Sequence, residues 1–225
     1  VVVLGPSGSG KSTLIAHLVA SGFGLVSDEQ LAIDPAIGAV TGFTRPIGIK
    51  PGSIPHLPDR VAADLRSGSG SMLLGCAALG GHHVTSAQPA LVVFPGRDAD
   101  AADVSFEIIT PAQALQGCCE NNLDLLRDPQ LALASFARLS ASTPAIRLRY
   151  RDASTAVPLL AELVSSPPAH RRTEWSWDHR VDEPDGIVHR SPTVLSLTIA
   201  DELVLVDRRT RRVSSLDAEE RGHWA

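Results

Sequence analysis

The sequence predicts an α/β fold: a core of strands and helices built around a phosphate-binding loop, followed by a small β-rich module. Three observations carry this prediction. The apolar run VVVL leads directly into GPSGSGKST, Gly5 to Thr13, and then into a helical pattern. Buried-looking strands further along alternate with helices that carry their own start signals. Near the end, TVLSLTIA, ELVLV and RRVSSL read as three short strands separated by turn residues, an antiparallel meander.

Taken in order, Val1 to Leu4 is a strand, and the helix after the loop puts Leu14, Ile15, Leu18 and Val19 on one face. Gly22 stops that helix, and FGLVSD follows as a second strand, parallel to the first in a βαβ crossover. From Ile33 to about Ser71 the chain is rich in Gly and Pro, which favours loops and short strands. ALVVF (Ala90 to Phe94) reads as a buried strand, and the alternation at Val104, Phe106 and Ile108 as a half-exposed one. Thr110, Pro111 and Gln113 compose a capping box with proline at the first helical position. Asp128 and Pro129 start a second helix, running to about Leu139. AIRLRY (Ala145 to Tyr150) is a further strand, and DASTAVPLLAELV is a short closing helix interrupted early by Pro158.

The main domain is therefore expected over residues 1–164, a linker over 165–189, where Pro and charge replace apolar periodicity, and the small module over 190–225. Within the module, Asp217 offers a helix cap with Glu220 three residues on. A strand that opens at residue 1 and a helical pattern that stops at RGHWA read as a fragment cut at both ends.

With 225 residues, 44% of them hydrophobic, the chain can bury one full core and a smaller one. A formal charge of −5 supplies no broad basic field, which argues against nucleic acid as the main partner. No apolar run approaches the roughly 20 residues that cross a bilayer, so no membrane partner is expected. The three cysteines (Cys76, Cys118, Cys119) show neither a disulfide framework nor zinc-ligand spacing, and fit a reducing cytoplasm. The pair His82–His83 lacks a third ligand at metal spacing and reads as structural or solvent-facing.

Gly5, Pro6, Ser7, Gly8, Ser9, Gly10, Lys11 and Ser12 match G-x4-G-K-[ST] in full, with Thr13 opening the helix. Glycines let backbone N–H groups turn toward phosphate oxygens, and the helix N-terminus adds donors and partial positive charge. Lys11 is expected on the β- and γ-phosphates of ATP, and the Ser12 hydroxyl on Mg2+. The loop leaves the acceptor open, because ATPases, GTPases and kinases share it. Asp28 and Glu29, at the tip of the second strand, suit the remaining tasks: one carboxylate serves the metal and the other takes a proton from an attacking hydroxyl. A solvated loop end is the plainer role for such a pair.

GPSGSGKS followed by GLVSDE resembles the HPr kinase/phosphorylase family and its HprK-related kinases, protein-serine kinases on a P-loop core. TRPIGIKPGSI looks like the RPI-x-LK motif of the related group, and VVFP, ENNLDLL and LRYRD resemble its later landmarks, so the likeness spans about residues 1–155. It implies an HprK-like P-loop kinase core, with Asp28 as the base that deprotonates a substrate serine, Glu29 as the acid near the metal and Gly5 to Thr13 as the ATP site. Arg45 and Lys50 become candidate phosphate or substrate contacts. The E-I-R-G-L-G signature of the true HPr enzymes is not readable here, so HPr itself and the reverse phosphorylase reaction have no motif.

ELVLVDRRTRRVSSLDAEERGHWA resembles the start of a PqqD-like domain, which implies recognition of a precursor-peptide leader; a plain β-meander is the other reading. Trp175, Trp177 and Trp224 are candidate recognition aromatics or buried packing. The expected function is an ATP- and Mg2+-dependent serine kinase acting on a protein or precursor peptide. The alternatives are a P-loop ATPase and a nucleotide-regulated binding module without a hydroxyl acceptor. The resemblance further implies homo-oligomers, with no interface legible in the residues.

Overall fold

A computed structural model describes residues 1–59, 61, 72–121, 128–170, 172–177, 194–207, 209–210, 212–217 and 219–220. Trp224, most of ENNLDLL, the helix beyond Glu220 and the 178–189 part of the expected linker lie outside these residues. The chain is mixed α/β. Its first half runs β1 (Val2–Val3), α1 (Lys11–Ala20), β2 (Leu31–Ile33), β3 (Val40–Gly42), β4 (Ile47–Ile49), β5 (Met72–Leu74) and β6 (Ser86–Ala87). Then follow β7 (Val92–Arg97), β8 (Ser105–Ile109), α2 (Pro111–Glu120), α3 (Pro129–Ser142), β9 (Ala145–Tyr150) and α4 (Ala153–Ser165). The terminal strands are β10 (Trp175–Trp177), β11 (Val194–Ile199), β12 (Glu202–Asp207) and β13 (Arg212–Leu216).

The main sheet has the order β1-β7-β9-β8, with β1, β7 and β9 parallel and β8 antiparallel at one end. The continuous apolar run at β7 follows from burial on both faces: Val92 joins a cluster with α2 and α3, and Val93 one with α1 and α4. In β9 the alternation sends Ile146, Leu148 and Tyr150 into the α1/α4 side and leaves Arg147 and Arg149 exposed, where they pair with Glu107 and Asp98. The half-exposed strand expected around Val104 is β8, but its apolar residues are not sheltered: Phe106 and Ile108 are 39% and 54% exposed. They pair with Leu148 and Ile146 from the outermost strand of the sheet.

Both helix starts behave as local chemistry dictates. Thr110 accepts from the Gln113 N–H while the Gln113 side chain accepts from the Thr110 N–H, and Asp128 accepts from Leu131. Asp217 likewise accepts from Glu219 and Glu220, with Glu220 reaching back to its N–H. Pro158, expected to interrupt the closing helix, sits inside an unbroken α4. An interior proline costs about 3 kcal/mol, and the burial of Ala156, Val157, Leu160 and Leu163 offsets it.

Two strand assignments are corrected. Residues 23–28 do not pair with β1, whose recorded sheet neighbour is β7. Leu25 instead bonds to residues 82–84, with its N–H on His82 O and its carbonyl accepting from Val84. It is drawn there because its side chain joins a third cluster, formed by Ala16, Val19, Ile47, Ile49, Leu74 and Leu79. This also accounts for His83, which lies in that bridge as part of the scaffold.

Trp175–Trp177, placed in the linker, forms strand β10, so the terminal sheet has four strands, β10-β11-β12-β13, rather than three. The two indole rings meet edge to face at 6.0 Å and pack against the α2/α3 cluster. Leu197, Ile199, Val204 and Val206 belong to that cluster too, so the sheet buries one face on the helices of the preceding part. Cys118 and Cys119 lie in the same cluster; burial pushes the Cys118 thiol up to about 12 and the Cys119 thiol upward as well. Among the described residues no helix is long and apolar enough to cross a membrane.

Candidate functional site

The loop between β1 and α1 is shaped by two residues that must be glycine. Gly8 and Gly10 adopt φ of 92° and 93°, the left-handed region that side chains avoid. At Gly10 a second constraint applies, since a β-carbon there would lie 2.5 Å from the Tyr150 hydroxyl. That hydroxyl also contacts Gly10 O at 3.5 Å, and burial raises its pKa to about 12, so the end of β9 braces the turn into α1. The helix is wedged between two clusters, Leu14 and Leu18 facing one, Ala16 and Val19 the other. Its N-terminus is therefore held firmly under the loop.

Lys11 folds back over the loop and donates to Gly5 O at 2.6 Å and Pro6 O at 2.8 Å. Its pKa is lowered, first by burial and also by Lys50, against a raising effect of Asp28. Asp28 reaches the same place by a different route from the expected crossover. Its Oδ2 accepts the Gly48 N–H of β4 at 2.8 Å, and the Ser12 hydroxyl lies near enough to its carboxylate to favour the charged form. Its Oδ1 is buried without a hydrogen-bond partner. Burial raises the Asp28 pKa, with Glu29 adding to the rise, while Gly48, Ser12 and Lys11 oppose it.

Glu29 points elsewhere. It pairs with Arg45 at 2.6 Å, both side chains about half exposed, so the structure brings Asp28 rather than Glu29 to Ser12. Lys50 donates to Ser7 Oγ at 2.6 Å and thus spans from the end of β4 to the outside of the loop. The expected residues Gly5 to Thr13, Asp28 and Lys50 converge; Glu29 and Arg45 form a separate pair beside them. A cavity of about 500 Å3 lies between β1 and residues 23–33, with Asp28 and Glu29 among its lining residues.

Sequence reasoning missed Tyr150 and Gly48. Tyr150 is the only tyrosine in the chain and ends an alternating strand, which is a signal of a kind. Gly48 acts through its backbone N–H, and no side-chain pattern reports that.

Among the described residues no cluster of three or more His, Cys, Asp or Glu side chains is placed to hold a metal ion. A divalent ion here would rest on one or two side chains together with phosphate oxygens, the habit of Mg2+ in nucleotide sites. The unpartnered Asp28 Oδ1 and the adjoining Ser12 hydroxyl fit that demand. No family model, curated protein or solved structure matches the chain.

Proposed function

We propose that the chain is an HprK-like P-loop kinase that transfers the γ-phosphoryl group of ATP to a serine hydroxyl of a protein or precursor peptide. The observation that carries this reading is the convergence of Lys11, Ser12 and Asp28 on one glycine-shaped loop. A glycine loop with its lysine alone fits any nucleotide site. A half-buried carboxylate beside it adds a proton acceptor within the same wall.

In this reading the loop N–H groups and Lys11 hold the phosphates. Lys11 must exchange the carbonyls of Gly5 and Pro6 for phosphate oxygens, which an ammonium favours because anionic acceptors bind it more strongly. Asp28 takes the serine proton as the serine oxygen bonds to the γ-phosphorus and the bond to the β-phosphate oxygen breaks. Mg2+, when bound, neutralises phosphate charge, and Ser12 with Glu29 are its proposed side-chain contacts. The nearness of Ser12 to the unpartnered Asp28 Oδ1 favours a second assignment, in which Asp28 joins Ser12 on the metal and Glu29 faces the acceptor.

The cavity beside the acid pair leaves room for an acceptor segment. The terminal sheet, read as a partial PqqD-like module, would take the leader of such a peptide, since β10 and β13 are its outer strands. A cytoplasmic protein that forms homo-oligomers fits the family resemblance.

The test offers γ-labelled ATP and Mg2+ with HPr and with small peptides encoded beside the gene. Label on an acceptor serine, lost in Asp28→Asn, supports the kinase. Release of free phosphate alone makes water the acceptor, and nucleotide binding without transfer points to a regulated binding module. A Mg2+ titration separates the two assignments: the variant, Asp28→Asn or Glu29→Gln, that raises the Mg2+ concentration needed for half-maximal rate has lost the metal contact.

A further inference from the structure

The segment after β3 carries two cations with different surroundings. Arg45 is neutralised by Glu29 at 2.6 Å. Lys50 has a neutral partner, the Ser7 hydroxyl, and among the described residues no carboxylate lies within ion-pair distance of it. An exposed ammonium whose protein partner is a hydroxyl can exchange that partner for an anion, because a hydrogen bond to an anion is about twice as strong as one to a neutral group.

The placement of Lys50 is fixed at its root and free at its head. Ile49 is fully buried and Ile54, in the next turn, nearly so, while the Lys50 carbonyl accepts from Ser53. The side chain itself is exposed. Two residues earlier on the same strand, the Gly48 N–H holds Asp28. The ammonium is thus carried by the strand that positions the acid, and it approaches the loop from outside while Lys11 approaches from within. Burial is the main cause of the lowered Lys11 pKa, and the Lys50 charge adds to it; a bound polyanion relieves that repulsion between the two lysines.

We propose that Lys50 is a second phosphate-contacting cation, which leaves Ser7 for the terminal phosphate of a bound nucleoside triphosphate and gives the site a preference for triphosphate over diphosphate. This rests on the nucleotide-site reading above. Lysine suits the task because its flexible stem lets a compact charge follow the phosphate.

The experiment measures binding of ATP and of ADP, each with Mg2+, to the wild type and to Lys50→Met and Lys50→Arg. Binding needs no acceptor, and the melting temperature of each variant checks its fold. Losing one charge-assisted contact should weaken ATP about tenfold or more in Lys50→Met, with ADP almost unchanged. Lys50→Arg should recover most of the ATP affinity. Equal loss for both nucleotides, or no loss, in a folded Lys50→Met overturns the proposal while leaving the nucleotide site standing. A wild type that binds neither nucleotide overturns the nucleotide reading itself and this proposal with it.

Discussion

The phosphate-loop end of the main sheet and the terminal four-stranded sheet are held together by opposite means. Around the loop the contacts are polar and come from distant parts of the chain: Asp28, Lys50 and Tyr150 meet residues 5–12, and Gly48 holds Asp28. In the terminal sheet, strands β11 to β13 pair with their sequence neighbours, and Leu197, Ile199, Val204 and Val206 are packed into a shared apolar core. The difference separates two properties. Changes at the loop should alter chemistry with little change in stability, and changes in the sheet should do the reverse.

The largest expected effect is on activity. Lys11→Met removes the charge aimed at the phosphates and should lower the transfer rate about a thousandfold, with a urea midpoint within error of the wild type. A large loss of stability in that variant would break the division. Leu197→Ala, at a fully buried position, should cost about 2–5 kcal/mol in urea unfolding. ATP affinity, measured well below the unfolding midpoint, should be unchanged.

Gly10→Ala lies on the border between the two kinds of site. The left-handed backbone and the approach of the Tyr150 hydroxyl should together cost about 1–3 kcal/mol. Combining it with Tyr150→Phe, which removes the clashing oxygen, should recover part of that loss, and a double-mutant cycle measures how much. Strict additivity would show that Tyr150 does not brace the loop.

The smallest effect is a gain. Among the described residues, Ala200 is the non-glycine residue with positive φ, 52°, and it lies in the two-residue turn between β11 and β12. Such a turn prefers glycine at its first central position. Ala200→Gly should raise stability by about 0.5–1 kcal/mol, read from the urea midpoint, and leave nucleotide binding alone.

The same contrast explains what was legible in the sequence. Thr110 with Gln113, Asp128 with Leu131 and the glycine loop are settled within a few residues, and each forms as its local chemistry requires. The features that escaped depend on distant partners. Residues 23–28 were matched to β1 by a general crossover rule, but the buried cluster under α1 took Leu25 to residues 82–84. Trp175–Trp177 lies in a charged, proline-rich stretch, and only the apolar surface of α3 and the edge of β11 make it a strand. Phe106 and Ile108 follow the expected alternation, yet no pattern within β8 reveals that it is the outermost strand and leaves both exposed. At the site, Lys11 and Asp28 could be named from motif and spacing, whereas the Glu29–Arg45 pair that separates the two acids could not.

The pairing of Val2 with Val92, and the contact between Gly10 and Tyr150, also bear on the order in which the protein is made. A ribosome releases the loop well before the strand that anchors it and the tyrosine that braces it. Closing such long separations is slow because chain entropy is lost before contacts compensate. Helices α2 and α3, started by their own caps, have no such wait. In refolding, far-UV circular dichroism should therefore recover ahead of binding of a fluorescent ATP analogue, and simultaneous recovery would show that the loop forms without its distant supports. The loop, made before its supports, would be among the last parts to acquire its working shape.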